Sequence, residues 1–342
     1  MSLMLEEIHQ QPTVLEETLK KEYDKAIKIG DYIRRSEIDL IILVARGSSD
    51  NASLFGRYLL EISTGIPVSL SAPSVFTLYN ARLRLKNALV IGVSQSGEGD
   101  DINLVLEEAG KAGAFTIGIT NEAGSTMAKI ASETLLIHAG KEKSVAATKT
   151  YTGQMLQFYL LASAIGNSRI TLNKIPELCS LSLSLASEVR QIAERFVLME
   201  NCVVLGRGLN YGNAFELGLK LMETCYVVAE RFSSADFLHG PLAIIERRFP
   251  VILFAPRGAT SVIDNQLIAR LRELNAYTLV ISNDGAICSQ SSLAIRLPFE
   301  IEELYTPIPF AVPAQLFAAY LAEAKGLNPD SPRSLTKVTK TL

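Results

Sequence analysis

Two stretches decide the fold: VARGSSDNASLFGRYLLE at 44–61 and LGRGLNYGNAFELGLKLME at 205–223. Each reads as an apolar run, then an Arg-Gly pair, then a helical pattern. Arg46 and Arg207 stand 161 residues apart. The turn at Gly97, in SQSG, has its counterpart at Gly258, in APRG, again 161 apart. AGAFTIGITN (112–121) echoes LNAYTLVISN (274–283), with Asn121 and Asn283 162 apart. Three matches at nearly one offset mark a duplication, and two long copies mean tandem domains rather than a solenoid.

The apolar runs are short and unbroken: LIILVA (40–45), ALVIGV (88–93), VVL (203–205) and VILFA (251–255). Such runs suit strands buried on both faces, hence a parallel sheet covered by helices. Helical segments such as 102–112 and 145–164 fall between them. The predicted class is α/β, with two tandem three-layer α/β/α sandwiches. A helix is expected over 1–35, the first domain over 36–166, the second over 177–325 and a tail over 326–342. The polar stretch GNSRITLNKIP (166–176) separates the domains. In the N-terminal helix, Thr13-Val14-Leu15-Glu16 reads as a capping box, and Leu15, Leu19, Tyr23 and Ile27 keep helical spacing.

Composition narrows the functional classes. The 342 residues are 48% hydrophobic and 20% charged, enough for a large core. Net charge is −3, so the chain lacks the basic surface that nucleic acid needs. MSLMLEEIHQ (1–10) has acids where a secretion signal needs bases. No apolar run approaches the roughly 18 residues of a membrane span. Cys179, Cys202, Cys225 and Cys288 are far apart, form no CxxC, and read as reduced, mostly buried thiols. Three histidines, none at ligand spacing, imply neither a metal centre nor a redox cofactor. His9 is expected at the surface and His138 in a structural role. The expectation is a soluble cytoplasmic protein.

Ligands of open parallel sheets bind past the carboxyl ends of the strands. VIGVSQSGEGDD (90–101) puts Ser94, Gln95, Ser96 and Gly97 there, with a helix expected from near Asp100. The first N–H groups of a helix have no internal partners, and its dipole favours an anion. Gly97 and Gly99 read as bends that let the backbone approach a ligand. A phosphate monoester fits; a plain capped helix start is the alternative. Neither GxGxxG nor GxxxxGK[ST] is present, which disfavours a nucleotide. Gly47-Ser48-Ser49-Asp50-Asn51 also follows a buried strand, so two serine-bearing turns can grip one phosphate from two sides. The counterparts Gly208-Leu209-Asn210 and Pro256-Arg257-Gly258 lack paired serines. The first domain therefore reads as the binding copy.

The order GSS, SQSGE, then SVAATKTYTGQ (144–154) resembles SIS (sugar isomerase) domains. ELGLKLMETCYVVAERFSSADFLHGPLAII (216–245) and PRSLTKVT (332–339) resemble the isomerase portion of glucosamine-6-phosphate synthase, over roughly residues 35–342. The resemblance implies two SIS domains and a sugar 6-phosphate site. It assigns Glu223 as the base that moves a proton between C1 and C2, a task that needs a carboxylate in a site closed to water. His239 matches the histidine that opens the sugar ring, and imidazole suits that transfer near neutral pH. In the family this histidine reaches the neighbouring subunit's site, which implies a homodimer. Lys337 matches the tail lysine that meets the open sugar's carbonyl, where a desolvated amine can form a Schiff base. The tail would then be ordered over the site; Lys340 is the nearby competitor. Lys220, one turn before Glu223, matches a family position that tunes that carboxylate.

The chain departs from the family in places. Gly99 replaces a threonine, removing one phosphate donor, and Ala147 replaces a serine near the sugar. No glutaminase half is seen, residue 2 is Ser2, and the expectation is that the chain does not draw ammonia from glutamine. The acid–base machinery run towards ammonia release makes glucosamine 6-phosphate deamination the expected reaction, with no cofactor. Aldose–ketose isomerisation without loss of nitrogen and cleavage of fructosyl-amine phosphates are the rivals. A sugar-phosphate sensor is the alternative of another class: it needs the serine turns but not Glu223, His239 and Lys337 together.

Overall fold

The structure is a computed structural model that describes residues 1–166 and 170–337. Its strands form two sheets, each of five parallel strands. The first holds β1 (Leu40–Val44), β2 (Val68–Leu70), β3 (Ala88–Val93), β4 (Phe115–Thr120) and β5 (Glu133–Leu136), in the order β2-β1-β3-β4-β5. The second holds β6 (Asn201–Gly206), β7 (Val228–Ser233), β8 (Pro250–Phe254), β9 (Tyr277–Ser282) and β10 (Leu293–Arg296), in the order β7-β6-β8-β9-β10. The two orders are the same, as the internal repeat requires. The strand order reverses direction between β1 and β3, and again between β6 and β8. In an open α/β sheet that switch point opens a crevice at the carboxyl ends of the strands.

Every residue of β3 is buried, which is why it carries no polar alternation. Val44 and Val90 meet Ile102, Val105 and Leu106 of the helix Asp100–Lys111 on one face of the first sheet. Gly92 is there because a Cβ would meet Leu106 Cδ1 at 2.6 Å. In the second sheet Val203, Leu205, Val251 and Leu253 meet Leu267, Ile268 and Leu271 in the same manner. The helices Lys149–Ile165 and Pro307–Ala324 are buried on almost all sides, so each reads as apolar without a polar stripe.

The chain divides into two compact units. Among the described residues, one contains the first sheet, within Thr13–Glu142 and Lys149–Lys174, together with Thr336 and Lys337. The other contains the second sheet, as Met1–Pro12, Lys143–Thr148 and Ile175–Leu335.

Three sequence expectations need correction. The N-terminal segment is two helices, Leu3–His9 and Gln11–Arg35. Thr13 therefore lies inside a helix and is not its cap; Pro12 takes the second position, where its missing N–H costs nothing. The helix expected from Val145 starts at Lys149. Its start is set by Glu142, whose carboxylate accepts the N–H of Thr150 at 3.1 Å and its hydroxyl at 2.7 Å. Gly99 sits at φ −69°, a conformation open to any residue, so it is not needed as a bend.

Candidate functional site

In the first unit two turns follow the adjacent strands β1 and β3. Gly47 has φ +58° and stands at the start of the helix Ser48–Thr64, which has no side-chain cap. Gly99 stands at the start of the helix Asp100–Lys111, also without a side-chain cap. Two uncapped helix N-termini thus flank the switch point, with their first N–H groups and dipoles suited to an anion. Gly97 has φ +66°, and a methyl there would overlap Ser125 Oγ, so only glycine fits.

The serines are organised around these turns. Ser94 Oγ accepts the N–H of Gly97 at 3.1 Å, and Ser96 Oγ accepts that of Glu98 at 3.3 Å. Each hydroxyl acts as acceptor there and keeps its own proton to donate. Ser49 Oγ, buried, accepts from Gln154 Nε2 at 2.9 Å. Gln95 accepts through its backbone carbonyl from Asn121 and Thr120, which leaves its amide uncommitted to the turn. Arg46 donates to the buried Asp101 at 2.8 Å and ties the first turn to the second. Glu98 is withdrawn from the turn. Its carboxylate accepts the hydroxyl of Thr126 at 2.7 Å and its N–H at 3.1 Å, and these bonds hold it below the usual carboxylate range.

The same unit contains Lys337. Its ammonium lies 2.9 Å from Glu142 Oε2, a carboxylate with no exposed side-chain surface. Glu142 was not anticipated. Its partner is 195 residues away, and no local spacing signals the pair. Lys340 lies outside the described residues.

The second unit carries the other candidate groups. The helix Tyr211–Cys225 sets Glu216, Lys220 and Glu223 on one face, because residues three and four apart are neighbours. Lys220 Nζ is 2.6 Å from Glu223 Oε2 and 3.3 Å from Glu216 Oε1. Burial disfavours the charge on Lys220, but the attraction of Glu216 and Glu223 outweighs it and holds the ammonium above its ordinary range. Lys220 and Glu216 are buried, while Glu223 keeps 21% of its side chain exposed. Glu223 is therefore the one member of the triad open to a substrate. Glu216 was missed in the sequence, although its i,i+4 spacing to Lys220 was a usable signal.

His239 is exposed at the end of the short helix Ser234–Leu238, just before Gly240 at φ +136°. Among the described residues it makes no side-chain hydrogen bond to Glu223 or Lys220. In the tail, the carboxylate of Asp330 accepts the N–H groups of Leu3 and Met4, both at 2.8 Å. Arg333 donates its N–H to Tyr226 Oη at 3.0 Å and lays its guanidinium 4.0 Å from that ring's centre. The tail thus caps one helix and stacks beside the end of another. The remaining histidines are placed as expected: His9 is exposed, and His138 Nε2 lies 2.6 Å from Glu22 Oε1. Cys179, Cys202 and Cys225 are buried, and burial pushes their thiols up, to about 12 for Cys202 and about 11 for Cys225. Among the described residues no group of three or more His, Cys, Asp or Glu could hold a metal ion. No helix among them is long and apolar enough to cross a membrane.

A duplicated five-stranded parallel sheet with an uncapped helix start after each strand at the switch point of the first copy defines a class: tandem α/β domains. The chain belongs to the SIS domain family, whose model matches residues 36–164 and 199–324. It is 36% identical over 345 residues to glutamine–fructose-6-phosphate aminotransferase (isomerizing) of Pyrococcus horikoshii, covering 98% of this chain and 57% of that protein. The corresponding protein of Aquifex aeolicus is 34% identical, with 98% and 57% covered. The chain thus spans a little over half the length of these relatives. Its fold matches the C-terminal domain of glucosamine-fructose-6-phosphate aminotransferase from Francisella tularensis, with a TM-score of 0.87, 26% identity, and 96% and 98% of the two chains covered. It also matches glucosamine-6-phosphate deaminase from Thermotoga maritima, with a TM-score of 0.77 and 99% and 100% covered. At 22% identity that likeness concerns the fold alone.

Proposed function

We propose that this protein is a phosphosugar isomerase-type enzyme that converts glucosamine 6-phosphate and water to fructose 6-phosphate and ammonia. The observation that carries the reading is the Glu216–Lys220–Glu223 triad, in which a buried ammonium faces one sealed carboxylate and one open carboxylate. A solvated helix face has no use for such burial, whose desolvation cost is several kcal/mol per ion.

The proposed roles follow from the chemistry of each group. The hydroxyls of Ser48, Ser49, Ser94 and Ser96, the amide of Gln95 and the backbone at Gly47 and Gly97 hold the phosphate. His239 moves the proton that opens the sugar ring, and it acts on the site of a neighbouring subunit in a homodimer. Glu223 takes the proton from C2 of the open aldose and returns it to C1, leaving a ketose imine at C2. Lys220 holds Glu223 in place and balances its charge. Water then adds to C2 and ammonia leaves; Lys337, released from Glu142, can add first as a Schiff base that water later hydrolyses. No electron acceptor or donor is needed. Sugar phosphates are kept inside cells by their charge, and we place the enzyme in the cytoplasm.

The test is to incubate the protein with glucosamine 6-phosphate and follow ammonia and fructose 6-phosphate together. Equal yields support the reading. A glucosamine 6-phosphate that is consumed without ammonia points to isomerisation alone. If neither product forms, and Glu223→Ala binds the sugar phosphate as well as the parent, the protein is a sensor and the enzymatic reading falls.

A further inference from the structure

The second sheet has the same pair of turns as the first, and they meet a charge supplied by the chain itself. Gly208, after β6, has φ +58°, the value found for Gly47 after β1. Gly258 follows β8 as Gly97 follows β3. Glu303 lies in the loop between β10 and the helix Pro307–Ala324. Its carboxylate accepts the N–H of Thr260 at 3.3 Å, directly before the helix Ser261–Glu273. A methyl at Gly258 would overlap this carboxylate, and a Cβ at Gly208 would lie 3.4 Å from Glu303 Oε1. Glu303 thus packs against the Gly258 turn, faces the Gly208 turn, and takes up the N–H of Thr260 at an uncapped helix start.

The surroundings agree. Thr260 is buried beside Asp264, and its hydroxyl works against the burial that raises that carboxyl. Asp264 is fully buried, 161 residues after Asn103 of the first unit. A carboxyl group thus stands where the first unit has an amide, and its charge would oppose a phosphate dianion placed beside it. The glutamate at the same offset in the first unit is Glu142. That residue is turned elsewhere, towards Thr150 and Lys337.

We propose that Glu303 is a built-in anion that fills the second unit's counterpart of the phosphate turns, so that each chain binds one sugar phosphate and keeps a second, latent anion site. The inference rests on the reading of the first unit's serine turns as the phosphate site. In this view the duplication produced two anion sites, and the second was closed by an acid from its own loop rather than by loss of the turns.

The experiment compares the full-length parent with Glu303→Ala/Asp264→Asn, which removes the internal anion and the repelling carboxyl. Inorganic phosphate is titrated into each by calorimetry, and thermal unfolding is followed in chloride and in phosphate at equal ionic strength. The parent is expected to bind one phosphate per chain, and the variant two. The variant's melting temperature should rise more in phosphate than the parent's. Adding Ser94→Ala and Ser96→Ala to the variant should leave only the second equivalent. Two equivalents in the parent, or a folded variant with one equivalent and the parent's phosphate increment, overturns the proposal. If the double variant does not fold, Glu303→Ser replaces it, and an unchanged phosphate increment there overturns the proposal equally. A parent that binds no phosphate while the variant gains one defeats the reading of the first unit and not that of the second.

Discussion

The two sheets share one strand order, yet their switch points hold different chemistry. Around β1 and β3 stand serines whose hydroxyl protons remain to be donated. Around β6 and β8 stands a carboxylate from the chain's own loop. The difference teaches that a duplicated frame keeps its backbone donors because the fold makes them. What those donors hold depends on a few side chains. The second unit carries the Glu216–Lys220–Glu223 triad.

The comparison breaks most sharply at Glu223. Glu223→Gln is expected to lower turnover by about 10²–10⁴-fold, the range for a lost acid–base group. Sugar phosphate binding should persist, because binding is assigned to the other unit. Steady-state kinetics beside calorimetric titration checks this, and a matching loss of affinity would remove the division of labour. Mixing Glu223→Gln chains with His239→Ala chains should restore part of the activity if His239 serves a neighbour's site; mixtures as inactive as their parents place it elsewhere.

Stability is the next lever. Lys220→Met leaves Glu216 and Glu223 without their cation, and removing one partner of a buried ion pair costs about 3–5 kcal/mol. Urea unfolding reads this directly. Replacing the whole triad by apolar residues should recover much of the loss, which distinguishes a triad kept for chemistry from one kept for stability.

Asp264 sharpens the contrast through pH. Burial raises its carboxyl from an ordinary value of 3.8 to about 6, and the neighbouring Glu303 pushes the same way, against Thr260, Ser234 and Arg207. The folded protein therefore holds a proton that the unfolded chain has lost. Stability should fall as pH rises from about 4 to about 6. The cost, on the order of 3 kcal/mol, is fully present above that window. Asp264→Asn should flatten this part of the profile and raise stability at neutral pH, as followed by thermal unfolding. An unchanged slope would show that other groups set it.

The smallest effect is expected at Gly99. Its φ of −69° admits any residue, and a Cβ would meet nothing closer than Ile102 Cδ1 at 3.4 Å. Gly99→Thr should return a hydroxyl donor to the first turn pair and tighten glucosamine 6-phosphate by about 0.5–1.5 kcal/mol, the net worth of one hydrogen bond. No change in affinity would mean that the anion sits away from this helix start.

The strands and their repeat were legible because periodicity is local: a fully buried strand such as Ala88–Val93 must be apolar at every position. The Lys220–Glu223 pair was legible for the same reason, since helix geometry makes residues three apart neighbours. Boundaries failed where the deciding partner was remote. Glu142 sets the start of the helix Lys149–Ile165 from across a loop, and Pro12 moved another helix start ahead of Thr13. Gly99 was misread because glycine permits many conformations and a sequence does not say which is used.

By itself the sequence determined the duplicated α/β frame, the serine turns of the first copy and the spacing of the acid–lysine pair, all matters of pattern within a few residues. Only the tertiary structure decided that Lys337 meets Glu142, that Lys220 lies sealed between two carboxylates with one left open, and that Glu303 closes the second copy's turns. Those contacts join residues far apart in the chain. Charge recognises distance in space, and no spacing along the sequence records it.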